Sequence, residues 1–294
     1  MPSSVPRVAR MGLEDARHTP EGAVLWPAAG TRVFTTRRLE LPAPLDEVGA
    51  YFWSVTWRRE ERSPFRQEVL SHPLTHLTVE AAEGGVLHGL AVPAALVHGL
   101  VTRVFSVDLP VAGRVAGVAF RPGGLAALLG RGVHDLTDAV VPAGEVLPGV
   151  AGLAGSVLAE EDDAARRDVL AVRLEGLLAP RLREVREDPG YRTVREAVRL
   201  MRVREHVALG PVAQRLHVSG RTLQRLFTHY VGASPLWVLR RHRLQDAVAA
   251  LDAGGGEDLA ELAASLGFAD HAHLTRAFTA VVGVPPSRYR AGER

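Results

Sequence analysis

No cysteine occurs among the 294 residues, which removes disulfides, thiolate metal ligands and a cysteine nucleophile from consideration. The same absence fits a reducing compartment, and a cytoplasmic location is expected. Lysine is missing too: all 35 basic side chains are arginine, which we take as composition bias rather than function. No apolar run reaches the ~18 residues of a membrane-spanning helix, so no membrane partner is expected. The opening stretch lacks an apolar signal core, and residues 1–22 read as a loosely attached tail. A phosphate loop, EF-hand spacing and a Ser-His-Asp pattern are also missing. Nothing in these absences favours an enzyme.

Net charge is small, at +2, but unevenly spread. Residues 191–294 hold 15 Arg against 9 acidic side chains, a balance of +6; the rest hold 20 Arg against 24, a balance of −4. A basic C-terminal end suits a polyanionic partner.

That basic end repeats itself. Leu209, Val212, Ala213 and Leu216 recur as Leu259, Leu262, Ala263 and Leu266. After a one-residue insertion, Leu223, Arg225, Phe227, Gly232 and Pro235 recur as Leu274, Arg276, Phe278, Gly283 and Pro286. Each copy has the apolar skeleton of a helix-turn-helix. In the first, Val212 and Leu216 share a helix face, Val218 plugs the turn and Ser219 is placed to cap the second helix. Leu223, Leu226, Phe227 and Tyr230 then make a buried stripe. Arg221, Thr222, Gln224, Arg225 and Thr228 are left for other partners, and Arg and Gln suit guanine and adenine edges. In the second copy Gly267 allows the turn, Phe268 plugs it and Asp270 caps. Its outward set, His271, Ala272, Thr275 and Arg276, is chemically weaker, so the first copy is expected to carry more base specificity. Between the copies, Pro235 to Leu251 reads as one helix of about 17 residues, roughly 25 Å long. Leu236, Leu239, Leu244, Val248 and Leu251 supply its apolar positions, with Arg240, Arg241 and Arg243 expected outside. Such a strut could set two recognition helices near the ~34 Å repeat of B-DNA. Gly254 to Gly256 end it, and Thr193 to Val203 is expected as the module's first helix.

Residues 191–290 resemble the DNA-binding domain of the AraC/XylS family of transcription regulators. The resemblance rests on the double repeat, on Gly267-Phe268, on Leu274-Thr275-Arg276-Ala277-Phe278 and on the ending Gly283-Val284-Pro285-Pro286-Ser287-Arg288-Tyr289-Arg290. It implies that the outward residues named above read bases in double-stranded DNA. No cofactor is expected. His217 stands where the family's first turn often has a small residue.

The preceding part reads as strands. Val33 to Leu39, Tyr51 to Trp57, Leu74 to Glu80, Val86 to Val92, Val101 to Leu109 and Arg114 to Phe120 are short runs rich in β-branched and aromatic residues. They suggest a small barrel or sandwich, similar in pattern to the sensory domains that precede this DNA-binding module in many AraC-like regulators. Tyr51, Trp53 and Trp57 fall on one strand face and could line an effector cavity, although a plain core is the simpler alternative. Arg121 beside a helix start is a candidate anion site, against a plain turn. His72, His76 and Glu80 resemble a metal ladder. On a strand, however, a four-residue step spans roughly 13 Å, too far to share an ion, so no metal site is expected.

Glu161 to Val185 is helical and highly charged, with Pro180 expected to start a second helix after a break. This connector either makes a dimer contact or packs back on its own domain. The chain is thus an α+β multidomain protein: a tail (1–22), a β-rich barrel or sandwich sensory domain (23–155), a helical connector (156–190) and an all-α double helix-turn-helix module (191–294). The expected function is sequence-specific transcription regulation as a homodimer, tuned by a small effector and in contact with RNA polymerase. The alternative is an N-terminal barrel-type metalloenzyme carrying a DNA-targeting module.

Overall fold

A computed structural model of the chain describes residues 18–19, 22–25, 34–59, 65–202, 208–254 and 258–292. Its β-rich part contains β1 (His18–Thr19), β2 (Gly22–Val24), β3 (Phe34–Leu39), β4 (Gly49–Arg58), β5 (Phe65–Ser71) and β6 (Thr75–Ala82). It continues with β7 (Val86–Leu87), β8 (Leu90–Ala91), β9 (Ala94–His98), β10 (Phe105–Leu109), β11 (Ala112–Phe120) and β12 (Val140–Pro142). A six-stranded sheet has the order β12-β9-β6-β11-β4-β3, and a four-stranded sheet the order β1-β2-β5-β10. β7 and β8 form a separate hairpin. The sheets face each other as a sandwich and do not close into a barrel.

Alternation along the strands explains the layering. On β4, Trp53, Val55 and Trp57 point between the sheets. Phe52 points the other way, into a core shared with Leu77, Val79 and Val118 of the large sheet. Helices α1 (Gly124–Leu129), α2 (Ala143–Val146), α3 (Leu153–Leu158) and α4 (Asp163–Val185) cover that outer face. With both faces covered, Thr75 to Glu80 of β6 is buried without interruption, as a two-sided strand must be.

Several expectations need correction. Residues 18, 19 and 22, expected in the tail, belong to strands of the small sheet; the remaining tail residues, with Val33, Val203, Gly255 and Gly256, lie outside the described residues. Val86 to Val92 is a hairpin rather than a strand, because His88 and Gly89 take left-handed φ values of 53° and 75° and turn the chain in two residues. β5 and β9 were not expected. Pro180 sits inside a continuous 23-residue α4. It does forfeit one helical hydrogen bond, but Leu174, Leu178, Leu182 and Val185 on either side of it anchor the helix to the core. α4 therefore packs on its own domain.

The C-terminal module comprises α5 (Pro189–Met201), α6 (Leu209–Arg215), α7 (Gly220–Tyr230), α8 (Pro235–Asp252), α9 (Leu259–Ser265), α10 (His271–Val282) and α11 (Pro286–Arg290). α5 begins four residues earlier than expected because Pro189 suits the first turn and Asp188 accepts hydrogen bonds from the Gly190 and Tyr191 amides. α8 is an 18-residue helix, roughly 27 Å long. It is buried on most of its circumference, since the first repeat, the second repeat and the small sheet all pack against it. Leu236, expected inward, is instead exposed.

Candidate DNA-reading faces and interior cavity

The two repeats build their recognition helices by the same local chemistry. The Ser219 hydroxyl accepts from the Thr222 amide at 3.0 Å, capping α7. The Asp270 carboxylate accepts from the His273 amide at 2.6 Å, capping α10. Each cap is preceded by a left-handed residue at the equivalent turn position, His217 at φ 54° and Gly267 at φ 74°. The first turn thus keeps the repeat's geometry although a histidine must adopt a conformation that favours glycine. Leu223 and Phe227 anchor α7, and Leu274 and Phe278 anchor α10. Arg221, Gln224 and Arg225 are exposed on α7, with Thr222 half-buried beside the cap. On α10, His271, Ala272 and Arg276 are exposed and Thr275 is half-buried, its hydroxyl 3.2 Å from His271 Nε2. Both helices therefore present a polar, cationic face of the kind that enters a major groove.

Between the sheets lies a cavity of ≈ 80 Å³. Trp53, Val55 and Trp57 of β4, Val69 of β5, Phe105 and Val107 of β10 and Val115 of β11 supply most of its apolar wall. Tyr51 shares their strand face but not the cavity: the Arg38 guanidinium lies 3.5 Å from its ring centroid, and it packs with Ala119 at the end of the sheet. Arg121 does not reach the cavity either; its Nε donates to the Asp46 carbonyl at 3.0 Å and tethers a turn.

One pole of the cavity is polar. Glu80 is 1% exposed and accepts from three neighbours. The Thr78 hydroxyl is 2.7 Å from Oε1, His98 Nε2 is 2.7 Å from Oε1, and His88 Nε2 is 3.1 Å from Oε2. Burial alone would raise the Glu80 pKa, but the two imidazoles outweigh it and hold the carboxyl below its usual range. The ladder His72, His76 and Glu80 does not converge. His76 Nδ1 accepts from Trp53 Nε1 at 3.1 Å, and burial lowers its pKa to about 3. His72 points away, to Gln245 of α8. The histidine partners of Glu80 come instead from β9 and from the β7–β8 turn, which no fixed spacing along the chain announces. The legible signal was a polar stripe, His76, Thr78 and Glu80, alternating with Leu77 and Val79.

The cavity and the C-terminal module meet through the small sheet. Gln245 Nε2 donates to the Leu70 carbonyl at 3.3 Å while His72 Nδ1 lies 3.0 Å from Gln245 Oε1. Leu25 and Leu70 pack into the core of α8 and the second repeat. Arg241, expected outside, is 2% exposed: its guanidinium donates to the Thr102 carbonyl and lies 4.8 Å from the Trp237 ring centroid. Arg243 is half-buried and donates to the Gly267 carbonyl at 3.0 Å. At the other end, Tyr191 donates to the Glu47 carbonyl at 2.9 Å and Thr137 to the Gly232 carbonyl at 3.2 Å.

Residues 212–292 match a family described as a helix-turn-helix domain. Residues 38–142 match a domain of unknown function, DUF6597. No curated protein matches. Among solved structures, ToxT from Vibrio cholerae in a P21 crystal form is 10% identical, with 89% of this chain aligned to 99% of that chain at TM-score 0.42. ToxT from V. cholerae O395 bound to (E)-4-(8-methylnaphthalen-1-yl)but-3-enoic acid is also 10% identical, with 88% of this chain aligned to 99% of that chain at TM-score 0.42. Unsaturated fatty acid-bound ToxT from V. cholerae strain SCE256 is 11% identical, with 88% and 95% aligned at TM-score 0.38. Likenesses this distant carry no argument about what this chain binds. No described helix is long and apolar enough to cross a membrane.

Proposed function

We propose that the C-terminal module, whose residues 212–292 match a helix-turn-helix family, is an AraC-type DNA-binding domain and that the chain is a sequence-specific transcription regulator. Its reading residues are Arg221, Thr222, Gln224 and Arg225 on α7 and His271, Ala272, Thr275 and Arg276 on α10. The observation that carries this is the matched pair of capped helices, each turning a polar face outward while Leu223 and Phe227, or Leu274 and Phe278, hold it to the module's core. Arg221, Gln224 and Arg225 take most of the base discrimination, because bidentate Arg–guanine and Gln–adenine pairs are each worth roughly 1–3 kcal/mol. Two copies occupy paired half-sites, and RNA polymerase is a further partner at the promoter. The role needs no turnover, so the protein is not an enzyme in this reading and works in the compartment that holds the DNA.

The N-terminal sandwich supplies control. Its cavity, at ≈ 80 Å³, is about half the roughly 150 Å³ engineered void that accepts benzene. A small, largely apolar effector fits, and a larger one must part the sheets. Parting them moves β5 and β10, and the adjoining Leu70, His72 and Thr102 hold Gln245 and Arg241 of α8. Effector occupancy is thereby read as the placement of the strut between the two reading helices.

Selecting a site from random duplexes and then measuring Arg225→Ala against every single-base variant of that site tests the proposal. Discrimination at one base pair should fall by about 1–3 kcal/mol while the others persist. A uniform loss on all sequences would reduce Arg225 to a phosphate contact, and failure of the wild type to select any sequence would remove the regulator assignment.

A further inference from the structure

We infer that Glu80, His88 and His98 form a binding site for one divalent transition-metal ion of borderline softness, such as Zn²⁺, at the polar pole of the sandwich cavity. This goes beyond the regulator reading and does not depend on it.

The donor set is the first ground. One carboxylate oxygen and one imidazole nitrogen from each histidine all lie within 4.8 Å of one another. A tetrahedral ion with bonds of about 2.1 Å needs donors roughly 3.4 Å apart. At present His98 Nε2 is 2.7 Å from Glu80 Oε1 and His88 Nε2 is 3.1 Å from Glu80 Oε2, and no donor pair in the set exceeds 4.8 Å, so side-chain adjustments of about 1 Å bring the donors to tetrahedral spacing. Two imidazoles and a carboxylate suit ions such as Zn²⁺ or Fe²⁺, not Ca²⁺ or Mg²⁺, which favour all-oxygen sites.

The second ground is how His88 is held. It occupies the first central position of the two-residue β7–β8 turn at φ 53°, followed by Gly89 at φ 75°. Asn, Asp or Gly ordinarily fills that place, because a left-handed residue without their advantages is costly. A turn residue also normally faces solvent, yet the His88 side chain is 12% exposed and directed at Glu80. A strained backbone that aims a buried ligand-type side chain at a buried carboxylate is the pattern expected of a functional constraint.

The third ground is the space beside the donors. Glu80, His88 and His98 all border the ≈ 80 Å³ cavity. An ion held by three protein donors would therefore keep a coordination position open toward Trp53 and Phe105, as ligand-accepting metal sites do.

The test uses the full chain, stripped with a chelator and titrated with Zn²⁺ by calorimetry, with bound metal counted by mass spectrometry. One tightly held ion per chain is expected. His88→Asn preserves the left-handed turn while deleting a donor, and should weaken binding by at least roughly tenfold; His98→Ala should do the same. His134→Ala tests the rival of a surface pair, since His134 and His229 both flank Gly132, and should leave the tight ion in place. Absence of tight binding to folded wild type, or an ion lost in His134→Ala but kept in His88→Asn and His98→Ala, would overturn the assignment.

Discussion

Arg241→Met probes the contact through which, in the proposed mechanism, the cavity acts on the C-terminal module. Burial lowers the Arg241 pKa from 12.5 to about 10, with Asp138 opposing it. At 1.36 kcal/mol per unit, the buried charge therefore costs about 3 kcal/mol. Against this stand a charge-assisted hydrogen bond to the Thr102 carbonyl, worth roughly 1.5–3 kcal/mol, and the approach to Trp237, worth roughly 0.5–2 kcal/mol. Nη1 has no hydrogen-bond partner among the described residues. The terms nearly cancel, so the charge contributes position rather than stability. Methionine retains much of the apolar stem and removes the charge; denaturant unfolding followed by tryptophan fluorescence should place it within about 2 kcal/mol of wild type. Arg241→Ala also leaves a void and should lose about 2 kcal/mol more than the methionine variant. DNA affinity without effector should survive in Arg241→Met while the effector response shrinks. A methionine variant destabilised by 3–5 kcal/mol, as when a needed ion pair is broken, would refute this balance.

The turn equivalence of His217 and Gly267 makes two opposite expectations for thermal unfolding. His217→Gly should stabilise by up to about 1 kcal/mol, and Gly267→Ala should destabilise by about 1–2 kcal/mol; equal signs would mean that the two turns differ. His242 on α8 is 8% exposed and held neutral, its pKa lowered to about 3 by burial first and then by Arg202 and His72. The unfolded chain takes up this proton below about pH 6.5 while the folded chain does not, so stability should fall on acidification by about 1.4 kcal/mol per pH unit from this residue alone, or roughly 2 kcal/mol by pH 5. His242→Gln should remove that component, with the two profiles coinciding above pH 6.5 and separating below it; parallel profiles throughout would contradict a neutral buried His242.

What could be read from the chain was whatever is decided locally. The caps at Ser219 and Asp270, the plugs at Val218 and Phe268 and the long strut depend on neighbours within a few positions, and repetition doubled the signal. β5 carries a weak strand signal because Arg66 and Glu68 interrupt its apolar residues, and β9 because Ala94 and Ala95 have weak strand preference. Pro180 reads locally as a helix break, and only the docking of Leu174, Leu178, Leu182 and Val185 on either side of it keeps α4 continuous. Arg241 follows the same rule: an arginine stripe on an isolated helix reads as solvated until a second domain covers it, as the strand-bearing domain covers Arg241 here. Glu80, His88 and His98 come from β6, a turn and β9, and only sheet register brings them together.

Base-resolved interference footprinting of guanine N7 on a selected site tests whether α7 and α10 enter successive major grooves. Two clusters of major-groove contacts per protein copy are expected, about 10 base pairs apart on one face of the duplex, with the α7 cluster the more sequence-dependent. A single cluster, or two on opposite faces, would contradict a rigid α8 that sets both recognition helices into successive grooves.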